Sequence, residues 1–259
     1  MAWIILGAVF IGLTLGMLGS GGSIVAVPVL RYLVGEPEKL AIASSLAIVG
    51  AIALVGSGPY IRKREVDWRS VVWFGLPGML GAMLGAIAAQ GLPEGAQLLI
   101  FSGVMLIAAR RMLATGRDYG AQPQSSIPGH RSKARLAAIG LLVGALTGVV
   151  GVGGGFMIVP ALVLLVGLTM RRAVGTSLVV ISLNAFTGFF KYVAALEAVH
   201  LALDWRVIGM FVAFGAVGTV AGHWCGSCLP QQRLKQMFGI LIIGVSIYII
   251  VHELPALAK

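Results

Sequence analysis

Charge is the scarcest commodity in this chain. Of 259 residues only 11% are Asp, Glu, Lys or Arg. No charge occurs between Met1 and Arg31, between Lys39 and Arg62, or between Arg135 and Arg171. Stretches of this length without charge do not belong to a water-soluble domain. Two cysteines, Cys225 and Cys228, cannot build a disulfide framework. No Gly-x-x-x-x-Gly-Lys-Ser/Thr is present, so the chain is not expected to bind ATP. The N-terminus, Met-Ala-Trp-Ile-Ile, has no basic n-region, so a cleavable signal peptide is not expected.

What is present is apolar. Hydrophobic residues make up 58%, with a mean hydropathy of +0.98. A membrane span needs about 20 apolar residues at about 1.5 Å rise each. The composition therefore predicts an all-α polytopic membrane protein, with the bacterial inner (plasma) membrane as the expected location. The net charge of +10 does not point to nucleic acid. Its basic residues collect between apolar runs, at Arg62-Lys63-Arg64, Arg110-Arg111, Arg131 to Arg135 and Arg171-Arg172, as cytoplasmic loop charges do.

The sequence is also written twice. Gly16-Met-Leu-Gly19-Ser-Gly21-Gly22-Ser23, followed by Pro28, returns 132 residues later as Gly148-Val-Val-Gly151-Val-Gly153-Gly154-Gly155, followed by Pro160. At the same offset Ser44-Ser45 matches Thr176-Ser177, Gly56 matches Gly188 and Tyr60 matches Tyr192. Past an insertion the offset becomes 137. Asp67-Trp68-Arg69 then matches Asp204-Trp205-Arg206, and Gly78, Gly81 and Gly85 match Gly215, Gly218 and Gly222. Two repeats follow, 1–115 and 135–259, joined by a polar basic linker, 116–134, expected in the cytoplasm.

Each repeat reads as four apolar segments. They run roughly 3–34, 40–61, 70–90 and 96–113 in the first, and 136–168, 172–195, 205–228 and 235–251 in the second. The first segment of each is too long. Thirty-two residues in one helix would span about 48 Å, against a hydrocarbon core of about 30 Å. The glycine break falls near its middle. Either one tilted, broken helix or a hairpin turning at the glycines fits. A hairpin inverts the second repeat, whereas a single helix leaves it parallel. Loop charges lean to inversion, with 14 Lys and Arg inside and 5 outside, against 13 and 6 for a parallel repeat.

Gly-x-Gly-Gly-Gly-x-x-x-x-Pro-x-Leu, once in each half, resembles the TauE/SafE family, also called toluenesulfonate uptake permeases. The carrying residues are Gly19, Gly21, Gly22, Pro28 and Leu30, then Gly151, Gly153, Gly154, Gly155, Pro160 and Leu162. The first copy departs by placing Ser23 where the third glycine would stand. The resemblance covers nearly the whole chain. It implies secondary transport of small sulfur-containing or organic anions such as sulfite and sulfonates, and no enzyme activity.

The candidate site follows from the breaks. A helix restarting after a glycine break presents free N–H groups and a positive dipole end, which suits an anion. Ser20, Gly21, Gly22 and Ser23 would supply one such end, and Gly153, Gly154 and Gly155 the other. Ser44, Ser45, Thr176 and Ser177 would complete the coordination with hydroxyls. Asn184, which matches Ile52, would make it asymmetric. Each has a structural alternative: close helix packing for the glycines, back-bonding to the helix for the hydroxyls, and a helix-bridging amide for Asn184. No cofactor or metal is expected. The expected partners are a small anionic substrate, the lipid bilayer, a coupling ion (proton or sodium) and a homodimer mate.

Two other readings stand beside this one. An anion channel could be built from the same repeats. A membrane-embedded redox or metal protein would use His223, Cys225 and Cys228, whose Cys-x-x-Cys spacing puts both thiols on one helix face. Asp67-Trp68-Arg69 and Asp204-Trp205-Arg206 read as architecture, with Asp as helix cap and Trp at the lipid interface.

Overall fold

Apolar residues with good helix propensity, interrupted by Gly, Pro and short polar turns, can satisfy their backbone in lipid only as helices. The computed structural model describes residues 2–20, 22, 26, 29–88, 94–114, 132–150, 155–197 and 203–257. Among these the regular structure is all helical. The helices are α1 (Ala2–Leu18), α2 (Glu38–Arg62), α3 (Leu76–Ala88), α4 (Glu94–Ala114), α5 (Lys133–Val150), α6 (Gly155–Ala161), α7 (Met170–Glu197), α8 (Trp205–Cys228) and α9 (Gln231–Leu257). Within the described residues, Leu40–Arg62, Met170–Phe190 and Trp205–Cys228 are long and apolar enough to cross a membrane.

The first apolar segment of the first half is a hairpin. Gly19 ends α1 with φ +79°, the left-handed conformation that glycine adopts without penalty. Its N–H donates to the Leu15 carbonyl at 2.8 Å, which caps the helix. The chain then doubles back. A Cβ built on Gly7 would lie 3.1 Å from Cγ1 of Val29. In a continuous helix those residues would be about 33 Å apart. Gly22 packs against the Ile11 carbonyl and Leu15, where no side chain would fit.

Both returning strands of helix end alike. A π-helical turn runs Val29–Val34 in the first half and Leu162–Val166 in the second. A left-handed glycine closes each, Gly35 at φ +82° and Gly167 at φ +77°. The caps correspond as well: Glu36 N–H donates to Leu30 O, and Leu168 N–H to Leu162 O. Isolated π-turns are uncommon in helices and recur at functional positions.

The chain divides into two compact units, each built from both halves. Unit one is Met1–Asp67 with Arg171–Leu229, and unit two is Trp68–Met170 with Pro230–Lys259. In unit one α1 and α8 run parallel at close range, with Gly12 on the Gly215 carbonyl, Gly16 on that of Thr219, Gly218 against Val9 and Gly222 against Leu13. Thr219 Oγ1 donates to Gly12 O at 2.9 Å. In unit two α3 and α5 repeat the register: Gly144 on the Gly78 carbonyl, Gly148 on that of Ala82, Gly81 against Leu141 and Gly85 against Ala145. A Cβ at any of these glycines would fall within 3 Å of the partner backbone. Small residues are what let helices approach this closely in lipid.

Also in unit one, α2 crosses α7 in the opposite direction. Leu46 packs on Gly188, Gly50 on Ala185, and Tyr60 on Gly175. Ser182 Oγ donates to the Gly50 carbonyl at 3.1 Å near the crossing. The core of this unit holds Ile11, Leu15, Ile48, Ile52 and Phe211. Unit two buries Phe74, Met105, Met112, Leu162 and Phe238. Outward faces carry large apolar side chains, among them Leu80, Leu84, Phe190, Val217 and Trp224, as a lipid solvent requires. Trp68, which opens a single helical turn Trp68–Ser70 before α3, and Trp205, the first residue of α8, are exposed and suit the interface. Asp204 caps α8, its Oδ1 accepting from the N–H groups of Arg206 (2.9 Å) and Val207 (3.3 Å).

Candidate functional site

The first break sits against the start of α7. Ser177 Oγ lies 3.1 Å from the Gly19 carbonyl and 2.8 Å from that of Val174, so its one proton can be given to either. Ser20, next along, is fully buried. The N-terminal part of α7 thus holds the tip of the first hairpin. This contact joins residues 158 positions apart in the chain.

The other expected site residues divide. Thr176, fully buried, accepts the Asp67 N–H at 3.0 Å and so holds the chain between α2 and the next helix. Ser45 bonds back to the Ile42 carbonyl at 2.7 Å. Ser44 is buried, with its hydroxyl against the Glu36 carboxyl. Asn184 is half-buried, and its Oδ1 has no partner. Gly155 opens α6 and is buried. Gly21, Ser23, Gly153 and Gly154 lie outside the described residues.

The structure does not bring the two hydroxyl pairs together in unit one. Leu178 of α7 faces Gly56 of α2, so Ser44 lies about 18 Å further along α2 from the level of Ser177. Each pair therefore belongs to a different depth of the bundle. In unit two, Met157 and Pro160 of α6 line a cavity of about 910 Å³ together with Leu142 of α5, Arg111 of α4 and Lys235 of α9. This cavity carries two cations, Arg111 and Lys235.

Sequence reasoning passed over a polar cluster one turn from the first break. Tyr60 donates its phenol to the Gly16 carbonyl in the last turn of α1 at 3.0 Å. Its ring edge meets His223, with centroids 4.4 Å apart at 81°. Lys63 Nζ approaches His223 Nε2 at 3.2 Å, and Arg171 Nη2 donates to the Ser227 carbonyl at 2.7 Å. Lys63 and Arg171 read as loop charges in the sequence. The available signal was spacing: Tyr60 in the last turn of α2 and Lys63 just past its end are i, i+3, and His223 and Ser227 are i, i+4 on α8.

The redox grouping comes apart here. His223 is buried and engaged by Lys63, whereas Cys225 and Cys228 are exposed free thiols. Among the described residues no group of three or more His, Cys, Asp or Glu side chains is placed to hold a metal.

Comparison with known proteins agrees with this architecture. The model of the family described as sulfite exporter TauE/SafE matches residues 4–249. A probable membrane transporter protein of Xylella fastidiosa is 33% identical over 244 residues, covering 93% of this chain and 91% of the relative. The probable membrane transporter protein YunE of Bacillus subtilis is 30% identical over 265 residues, covering 92% and 90%. The probable membrane transporter protein MJ0441 of Methanocaldococcus jannaschii is 24% identical over 197 residues, covering 72% of each chain. No solved structure matches. With a family match across nearly its whole length and relatives that are membrane transporters by name, this chain belongs to the TauE/SafE family of integral membrane proteins.

Proposed function

We propose that this membrane transporter moves a small anion, a sulfur oxyanion or organosulfonate, by alternating access between two inverted repeats. The single observation that carries the reading is the hairpin break at Gly19, closed in the left-handed conformation and held by Ser177. Non-helical backbone at membrane depth is tolerated where it lines a site. Inversion is supported by α2 and α7, which occupy equivalent positions in the two halves and cross in opposite directions. The anion is held by backbone N–H groups and hydroxyls at the breaks, Ser20 to Ser23 in one half and Gly153 to Gly155 in the other. Thr176 is committed to the Asp67 amide and Ser44 lies against Glu36, so the backbone N–H groups of the breaks carry most of the binding in this reading. The driving force is an ion gradient, of protons or sodium, or the substrate gradient itself.

The test is flux. Protein reconstituted into liposomes should exchange labelled sulfite or a sulfonate with saturating kinetics. Gly21→Val and Gly153→Val should insert normally and lose transport. Normal flux in both variants would remove the breaks from the mechanism. Flux that never saturates would favour the channel.

A further inference from the structure

We propose that His223, Arg171 and Lys63 form an oxyanion-binding site in unit one, where α2 and α8 end and α7 begins. An ammonium group can only donate, so His223 Nε2 accepts from Lys63 and the imidazole proton sits on Nδ1. That Nδ1–H is buried, on a side chain only 3% exposed, and it has no acceptor. One turn further along α8, the Ser227 carbonyl accepts from Nη2 of Arg171 on α7. The Arg171 Nε–H is also buried without an acceptor. Two donors left over, each beside a fixed positive charge, call for a ligand made of acceptors. A buried donor without a partner is costly, and a charged acceptor is its strongest partner.

The surroundings fit the same ligand. Charged groups facing His223 are Lys63 at the end of α2, Glu65 in the turn after it and Arg171 at the start of α7. Two cations against one carboxylate leave a net positive charge. The Tyr60 phenol is spent on Gly16 and does not compete for the ligand. A compact ion with at least two acceptor oxygens matches this set: a sulfur or phosphorus oxyanion, or a carboxylate. Through Tyr60 the site touches the last turn of α1. It is therefore the charged station next to the first break. Assigning it to the transported ion rests on the transport reading, whereas the site itself does not.

The experiment is direct binding to the full-length protein in detergent. Sodium sulfite, sulfate, phosphate and acetate are titrated calorimetrically at constant ionic strength. At least one should bind saturably to the wild type. Arg171→Gln, His223→Gln and Lys63→Gln should each weaken it tenfold or more, and Arg171→Lys should recover only part. Arg233→Gln, a basic change in unit two, should leave affinity unchanged. A variant that fails to elute as folded protein is replaced in the comparison by the other two. Wild-type affinity in all folded variants would overturn the site, and so would the absence of binding by all four anions. Variant-sensitive binding without flux would keep the site and discard the transport reading. Flux with variant-insensitive binding would do the reverse.

Discussion

Replacing Gly19 with alanine separates two costs that are usually confounded. Gly19 and Gly35 have nearly the same backbone, φ +79° and +82°. An L-residue there costs about 1–2 kcal/mol for the left-handed conformation alone. Their surroundings differ. A Cβ on Gly35 would meet nothing within 4 Å, whereas on Gly19 it would lie 2.7 Å from Ser177 Oγ and 2.9 Å from Val174 Cα. The second contact is with backbone and cannot swing aside. Overpacking of this kind costs about 1–3 kcal/mol. Gly35→Ala should therefore lose about 1–2 kcal/mol, and Gly19→Ala about 2–5 kcal/mol. Reversible unfolding in mixed detergent micelles measures both. Adding Ser177→Ala to Gly19→Ala should recover about 0.5–1.5 kcal/mol relative to additivity, because one of the two close contacts is gone. Equal losses for Gly19→Ala and Gly35→Ala would refute the docking of the hairpin tip on α7.

Four further outcomes are expected. Gly16→Ala and Gly148→Ala occupy one register in two units, so each should cost about 1–3 kcal/mol. Gly103→Ala, with nothing within 4 Å in the middle of α4, should gain up to about 1 kcal/mol from helix propensity in the same melts. Tyr60→Phe should cost about 0.5–1.5 kcal/mol through loss of its bond to Gly16, a loss that vanishes if the phenol faces water. Burial raises the Glu36 carboxyl above its ordinary 4.5, and the Asp204 charge adds to this against the Ser44 hydroxyl. A raised folded-state value means stability is greatest below 4.5 and falls as pH rises through the folded value. Glu36→Gln should melt higher than wild type at pH 7, with the gap closing by pH 4. A gap that widens in acid would reverse the sign.

Much of the fold is readable because lipid leaves few options. The charge-free runs predict spans, and the excess length of the first segment predicts a break. The Gly-x-x-x-Gly stripes at 81–85 and 218–222 announce close packing, and both do pack on a partner helix. What could not be read is which helix. Pattern fixes a face but not its neighbour, and the neighbour of α1 lies more than 200 residues away. The π-turns were hidden too, since nothing local separates Val29–Val34 from ordinary helix except the glycine that follows. Of the candidate site, the break and Ser177 converge, while Ser44 lies at another depth. His223 was legible only as a companion of the two cysteines, whereas Lys63 and Arg171 escaped because each is ordinary alone and only the antiparallel course of α7 brings Arg171 to the end of α8.

The exchange of helices between halves also bears on how such a chain arose. In each unit the first helix of one repeat is clasped by the third of the other, residue for residue in the same register. A single repeat on its own therefore contains both surfaces of that clasp but no partner for either. Two copies of one repeat would satisfy each other completely, forming the clasp twice. On the inverted-repeat reading proposed above, a single-copy forebear would be a homodimer whose subunits insert in opposite senses, with the linker joining that pair into one polypeptide. Severing the linker and expressing the halves together should restore the protein, whereas either half alone should not persist in the membrane.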